Sequence, residues 1–513
     1  MGFNFIACDL DRAFLLPQDV REWLPPEHLC WKVLDAVGEV DLSAFMAGYR
    51  SDGQGRAAYP PGVLLALVLY CYSKGVRASR RIEQACLDDV GCRIITGNRR
   101  VDHATVARFI RRHRLSLKAL FVQVLALCGQ RGLVDLSAVA VDGSPMEANA
   151  GRESNRSLER LEAIIRDGEA ELDQMVQDAL AHARAAETDE VPAPVERQAA
   201  DTSLGQLSRL SDRILRARAA MEQLHQRALP SAGEIKIKVE AAERIVARAE
   251  KRLGTEMAAH QARLNEYAER TVQDRAAGHR AANGRPPVAL DVKTVIVRQR
   301  ARLATARAGL ERARNPRPVP SPAARASLSD PDSSLMPHKR GGYLQGFNLQ
   351  IVCARGQFLL AIELQDNPSD MTALVPMVGR TQENCRSAGI TDEVRAWLAD
   401  SGYASTSNFE ALAGLPLLVA LKNDTHPGDG EPPPSEAIPA GQRDMAARLA
   451  SPTGQSLYKQ RAALVEPGFA QLFQRFGRQL HYRGTDAVDA EIKLLDTVHN
   501  LNKLFRQQTK HSP

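Results

Sequence analysis

The spacing of apolar positions changes several times along the chain, and each change predicts a different kind of element. Pro60 and Pro61 lead into Gly62-VLLALVLYCYSKG, apolar on every face, which predicts a buried core helix with proline in its first turn. After Asp102 the apolar residues fall at Val106, Phe109 and Ile110, which predicts a helix from about His103 with Asp102 as its N-cap. At Leu136-SAVAVDGS small and β-branched residues alternate, predicting a short strand that ends at Asp142 and Gly143. From about Asn155 to Arg314 the steps become three and four: Leu158, Leu161, Ile165, Gly168, Leu172, Met175 and Ala179, then Leu207, Leu210, Ile214, Ala217, Met221 and Leu224. Such a seam predicts long helices packed as in a coiled coil. Breaks near Pro192–Pro194, Pro230–Gly233 and Pro286–Pro287 divide them into about four, and the linker Asn315-PRPVPSPA closes the block.

Strand patterns then return. Tyr343-LQGFNLQIVC, a turn at Ala354 to Gln357, and Phe358-LLAIEL predict an antiparallel hairpin. A helix from Thr372 to Ser387 follows, then a buried strand Val394-RAWLAD ending at Asp400 and Gly402. The next strand, Leu415-PLLVALK, carries Pro416, which is tolerated at a strand's first residues or on a sheet edge. A Pro/Gly-rich loop from Asn423 to about Gln442 precedes a helical remainder. This order predicts an α/β layer with a helical block inserted after its first strand. The domains expected are 1–130, helical; 131–150 with 323–508, the α/β core; and 151–322, the insertion and linker.

Composition narrows the class. The chain has 513 residues, 44% hydrophobic and 25% charged, enough for about three domains with real cores. Its net charge of +6 names no partner until resolved along the chain. Lys74 to Lys118 holds twelve Lys and Arg against four Asp and Glu, and the helix after Asp102 carries Arg108, Arg111 and Arg112 beside its apolar side. With Arg99, Arg100 and a turn at Gly97, these short helices resemble a helix-turn-helix DNA reader. Eight scattered cysteines without a CxxC pair indicate neither a disulfide framework nor zinc, and suit a reducing cytosol. Asp9 and Asp11 stand where a signal peptide needs positive charge. The longest apolar run, Val63 to Tyr72, is half of the about 20 residues a bilayer span needs, so neither a membrane nor a secreted protein is expected.

Two strands end in an aspartate followed closely by glycine, VAVDG at Asp142 and WLADSG at Asp400. Carboxylates at the ends of adjacent strands converge, repel, and suit a divalent cation such as Mg²⁺, which binds through one or two carboxylates and phosphate oxygens. An Asp-Gly turn without chemistry has the same spacing.

Ala140-VDGSPMEANA, Asp330-PDSSLMPHKRGGYLQGFNLQ, Leu398-ADSGYAS, Tyr458-KQRAALVEPGF and Arg99-RVDHATVARFIRRH, in that family's order along nearly the whole chain, resemble the DDE transposases of bacterial insertion sequences. The closest branch resembles the eleven-eighty-two elements, within the wider IS-four/IS-five-like superfamily. The resemblance implies an RNase H-like catalytic core with an N-terminal all-helical DNA-binding domain and a helical coiled-coil-like insertion. It further implies a DDE triad holding two Mg²⁺ ions, for which Mn²⁺ substitutes, and cleavage and strand transfer at terminal inverted repeats. The triad falls on Asp142, Asp400 and Glu466 as catalytic and metal-binding residues, with Glu491 the rival third acid. Tyr458 and Arg461 meet the family's signature, but four residues separate Arg461 from Glu466 where the superfamily has three. No lysine follows at the expected distance, Arg475 being the nearest base, and Pro467 is expected to put Glu466 at a helix end. Lys339, Arg340, Tyr458 and Arg461 are expected to meet DNA phosphates, as are Arg99, Arg100, Arg108, Arg111 and Arg112. Partners are then double-stranded DNA, both inverted repeats and target, and a second copy at least, in a cytoplasmic, nucleoid-associated protein. The rival readings are a DNA-binding architectural protein without chemistry and an RNase H-like nuclease without strand transfer.

Overall fold

The structure, a computed structural model, describes residues 19–49, 57–186, 194–229, 232–277, 286–316, 320–337, 341–421 and 440–510. The chain divides into two compact units, one of residues 1–155 with 327–513 and one of residues 156–326.

The first unit opens with helices α1 (Leu29–Glu39), α2 (Pro61–Ser73), α3 (Ser79–Asp88), α4 (Val90–Ile95), α5 (His103–Arg112) and α6 (Arg114–Gln130). Helix α2 starts at Pro61 and is buried along almost all its length, as a helix apolar on every face must be. Asp102 caps α5 by accepting from Thr105 N at 2.9 Å, and Val106, Phe109 and Ile110 are its buried side. A six-stranded mixed sheet follows: β1 (Asp135–Glu147), β2 (Ser334–Pro337), β3 (Tyr343–Arg355), β4 (Leu359–Gln365), β5 (Trp397–Ala399) and β6 (Leu417–Val419). Its order is β2-β3-β1-β5-β6, with β4 also paired to β3. Strand β1 runs antiparallel to β3 and parallel to β5, and β5 runs parallel to β6. Helix α7 (Leu374–Ser387) follows β4, and α8 (Pro452–Tyr458), α9 (Arg461–Phe476) and α10 (Thr485–Lys510) close the unit.

The expected hairpin turn is made at Gly356 and Gln357, both in left-handed backbone, and β6 is an edge strand entered through Pro416. Two expectations are corrected. Strand β1 does not end at Asp142 and Gly143 but runs on to Glu147, because β3 continues to pair with it (Asp142 with Ile351, Glu147 with Gly346) after β5 has stopped. Pro467 does not open a helix and does not put Glu466 at a helix end. It lies inside α9, whose Leu464, Val465, Gly468, Phe469 and Leu472 are buried, so apolar packing on both sides of the proline holds the helix together and puts Glu466 in its second turn. The loop expected from Asn423 lies mostly outside the described residues, and the described cysteines are free and buried.

The second unit is helical: Leu158–Ala186, Pro194–Arg227, Ala232–Ala276 and Thr294–Arg314. The first two pack through Leu161, Ile164, Ile214, Ala217, Ala220 and Leu224, and Gly168 gives Ile214 room that a side chain would occupy. Ile164 and Ala220 are more buried than the expected Ile165 and Met221, while the expected Leu161, Gly168, Ile214, Ala217 and Leu224 are buried as predicted. Ion pairs Arg307–Glu250 (2.8 Å) and Arg314–Glu243 (3.0 Å) tie the other two helices in antiparallel register. Among the described residues no helix is long and apolar enough to cross a membrane.

Candidate active site

The parallel register of β1 and β5 ends at Val141 opposite Ala399, so Asp142 and Asp400 are the next residues on two neighbouring strands. Asp142 Oδ1 accepts from Gly143 N at 2.8 Å, and its Oδ2 takes the Arg461 guanidinium at 3.2 Å. Asp400 caps a short turn by accepting from Gly402 N at 2.8 Å. Burial pushes the Asp142 carboxyl above its ordinary value, Arg461 opposes this, and the neighbouring Asp400 adds to it. For Arg461 burial works against the charge, but Asp142, Tyr458 and Asp400 together outweigh it and hold the guanidinium above its usual range. Tyr458, at the end of α8, donates to the Ala399 carbonyl at 3.2 Å, on the peptide that leads into Asp400. Tyr458 and Arg461, expected on DNA, are therefore engaged with the strand ends that carry the two acids.

A third carboxylate, which no sequence motif singled out, lies beside them. Asp370, in the turn after β4, accepts at Oδ1 from Asn348 Nδ2 and Gln350 Nε2 of β3, each at 2.7 Å. Gln350 in turn receives the hydroxyl of buried Tyr403. Burial, then Asp370, Asp142 and Asp400, drive the Tyr403 hydroxyl far above its ordinary value, so all three acids act on one point. Both glycines of the two aspartate-glycine motifs face Asp370: a Cβ on Gly143 would overlap its Oδ1 and Gln350 Nε2, and one on Gly402 would stand 3.3 Å from its Oδ2. Those glycines were the available signal, since each clears space for the same carboxylate.

Glu466 is exposed in the second turn of α9, and among the described residues no hydrogen bond or ion pair joins it to Asp142 or Asp400. Glu491 is buried in α10, pairs with Arg77 at 3.2 Å, and accepts from the backbone N–H of His481 and Tyr482. No group of three His, Cys, Asp or Glu side chains placed to hold a metal ion occurs among the described residues. A hard divalent cation nevertheless fits the chemistry here: two adjacent carboxylates suffice for Mg²⁺ when water and phosphate complete its shell, and among the described residues Arg461 pairs with Asp142 and no cation pairs with Asp400.

In the helical region Arg99, Arg108 and Arg111 are exposed and make no ion pair among the described residues. Arg100 pairs with Glu83 at 2.6 Å, and Arg112 donates to the Gly48 carbonyl while lying 4.7 Å over the Tyr49 ring. Lys339 and Arg340 lie outside the described residues.

Two family models match the chain. Residues 18–112 match a family described as a transposase domain, and residues 314–501 one described as a transposase DDE domain. Asp370, Asp400, Arg461 and Glu466 fall inside the second match; Asp142 falls before it and reaches the site because β1 pairs with β3 through Asp142 itself and with β5 as far as Val141. No curated protein and no solved structure matches the chain.

Proposed function

We propose that this chain, a DDE transposase of an insertion sequence by the two domains it carries, binds the element's terminal inverted repeats and catalyses metal-dependent cleavage and strand transfer there, with Asp142, Asp400 and Glu466 as its acids. The observation that carries the reading is the pair Asp142 and Asp400 on neighbouring parallel strands, tied by Arg461 and Tyr458. The strand order, with β4, β3 and β1 in an antiparallel run on one side and β5 and β6 parallel to β1 on the other, supports an RNase H-like core. The order of the sequence blocks supports the eleven-eighty-two branch.

Asp142 and Asp400 would hold Mg²⁺, two ions in this reading, with Mn²⁺ as a substitute; when bound, the metal activates the attacking oxygen and stabilises the leaving oxygen of the phosphodiester. The protein's part is placement. Arg461 keeps Asp142 in one orientation and offsets its burial. Tyr458 fixes the end of β5, hence the direction in which Asp400 leaves the strand. Glu466 joins as third acid from the next turn of the helix that Arg461 begins. Glu491 is a poor rival, because its oxygens are engaged by Arg77 and two backbone N–H groups.

Arg99, Arg108 and Arg111, exposed and without an ion pair among the described residues, are the phosphate contacts of the helical region, with Arg100 and Arg112 beside them. Synapsis of two ends requires at least a dimer. Labelled inverted-repeat DNA incubated with Mg²⁺ tests the whole reading. Wild type should give cleaved and joined products, and Asp142→Asn or Asp400→Asn should bind the ends without cutting. Undiminished cleavage by either variant would overturn the assignment. Binding alone by wild type would favour an architectural protein, and cleavage without joining a nuclease.

A further inference from the structure

A second feature of the first unit lies outside the acidic site and is independent of its chemistry. Ser73 at the end of α2, Arg475 in the last turn of α9, and His499, Lys503 and Arg506 on successive turns of α10 line a cavity of about 430 Å³. Arg475, Lys503 and Arg506 make no ion pair among the described residues. Lys74, at the same cavity, already has its carboxylate in Asp89.

The cations feel one another. Burial and Arg506 lower the Arg475 guanidinium below its usual range. Burial, with Arg506 and Arg475, lowers Lys503 to about 8. His499, buried and donating from Nε2 to the Gln357 carbonyl (2.7 Å), is lowered by burial to about 4 and adds no further charge at neutral pH. Lys503 Nζ donates to Gln357 Oε1 at 2.9 Å, a neutral acceptor that leaves its charge unbalanced. Ser73 is 8% exposed, and its hydroxyl is buried without a hydrogen-bond partner. Like charges gathered in a partly buried cavity cost stability unless an anion neutralises them, and a buried hydroxyl lacking a partner carries its own penalty.

We infer that this cavity is an anion site for a phosphate group, held by Arg475, Lys503 and Arg506 with Ser73 as a neutral donor. A tetrahedral oxyanion supplies the missing negative charge and enough acceptors for two guanidinium groups, an ammonium and a hydroxyl. Its source is either a backbone phosphodiester of bound DNA or free phosphate.

The test uses the full chain and the double variant Arg475→Gln/Arg506→Gln. In the first arm, thermal unfolding is followed in sodium phosphate and in sodium chloride of equal ionic strength and pH. In the second, the affinity for a DNA fragment is measured against salt. If the ligand is free phosphate, phosphate raises the wild-type midpoint by about 2–4 °C and leaves the double variant unmoved. If it is a DNA phosphodiester, the slope of log affinity against log salt becomes shallower by about 1 in the double variant. In chloride the double variant should melt no lower than wild type, because neutralisation removes repulsion; a purely structural pair of arginines would give a lower midpoint. Lys503→Gln carries the same readouts if the double variant fails to fold. Equal wild-type midpoints in the two salts together with an unchanged salt slope overturn the proposal, as does a phosphate shift that survives in the variants.

Discussion

Glu491 and Glu466 are 25 residues apart, and opposite outcomes are expected when each is changed. Glu491→Ala would leave the Arg77 side chain, 6% exposed, without its carboxylate, and the N–H groups of His481 and Tyr482 without their acceptor. Removing one partner of a buried pair costs about 3–5 kcal/mol, because the remaining charge stays buried. At about 2 °C per kcal/mol for a unit of this size, the midpoint should fall by roughly 6–10 °C. Arg77→Met should cost less at low pH. Burial already holds the Glu491 carboxyl above its ordinary value, with Arg77 and the two N–H groups opposing. Without Arg77 it rises further, so in acid the side chain is neutral and tolerated, and the cost grows as pH rises and the orphaned carboxylate is forced to ionise. Urea unfolding of Arg77→Met, Glu491→Ala and wild type between pH 4 and pH 8, followed by circular dichroism, measures all of this. Glu466→Gln, on an exposed side chain, should stay within about 0.5 kcal/mol of wild type and lose cleavage. Glu491→Ala within about 1 kcal/mol of wild type, or a folded Glu491→Gln that no longer cuts, would refute the division of roles.

Asp142→Asn should be more stable than wild type at pH 7 while losing cleavage. The folded-state pKa of Asp142 lies above its unfolded value, so wild type loses stability as pH rises through the interval between the two, and the advantage of the Asn variant should vanish below about pH 3.8 in thermal melts. Gly143→Ala should destabilise by about 1–3 kcal/mol and lower cleavage, because the new methyl group displaces Asp370 or Gln350; wild-type stability in denaturant would contradict the packing described. Arg108→Gln with Arg111→Gln should weaken binding to any DNA sequence and make the salt dependence shallower by about 1 for each arginine neutralised, readable by fluorescence anisotropy. An unchanged slope would move the DNA surface elsewhere.

What was readable in the sequence is what local forces decide. Helix α5 is announced by its cap and its apolar spacing and α2 by its proline start and unbroken hydrophobicity, while Pro416 leaves β6 either entered through proline or on an edge, and it is both. The acids Asp142 and Asp400 were visible for the same reason, each closing a short apolar run before a glycine. The rest depends on partners distant in the chain. Strand β1 outlasts its apparent turn at Gly143 because β3 offers backbone partners as far as Gly346. Asp370 has no local motif; its place is set by two amides of β3 and by two glycines, one before the insertion and one after it. Glycines that read as turn formers are there to admit a carboxylate. Pro467 reads as a helix breaker, but the buried Gly468, which lies against Cys353, and the neighbouring Phe469 and Leu472 hold the helix through it.

The pairing of β1 with β5 also has a temporal meaning. Val141 meets Ala399 only after about 260 further residues have been made, and at a synthesis rate of about 5–20 residues per second the wait is roughly 13–50 s. Ala138 to Val141, wholly buried in the finished sheet, stay an unpaired apolar strand on the nascent chain until β3 arrives about 210 residues later, roughly 10–40 s at the same rate, and gain β5 only at the end of the wait. The helices of residues 156–326 emerge during the delay and find their partners within their own unit, so they can fold while β1 waits. A chaperone that protects one segment of this chain during synthesis should therefore be needed most at β1, before the first residue of β3 has left the ribosome.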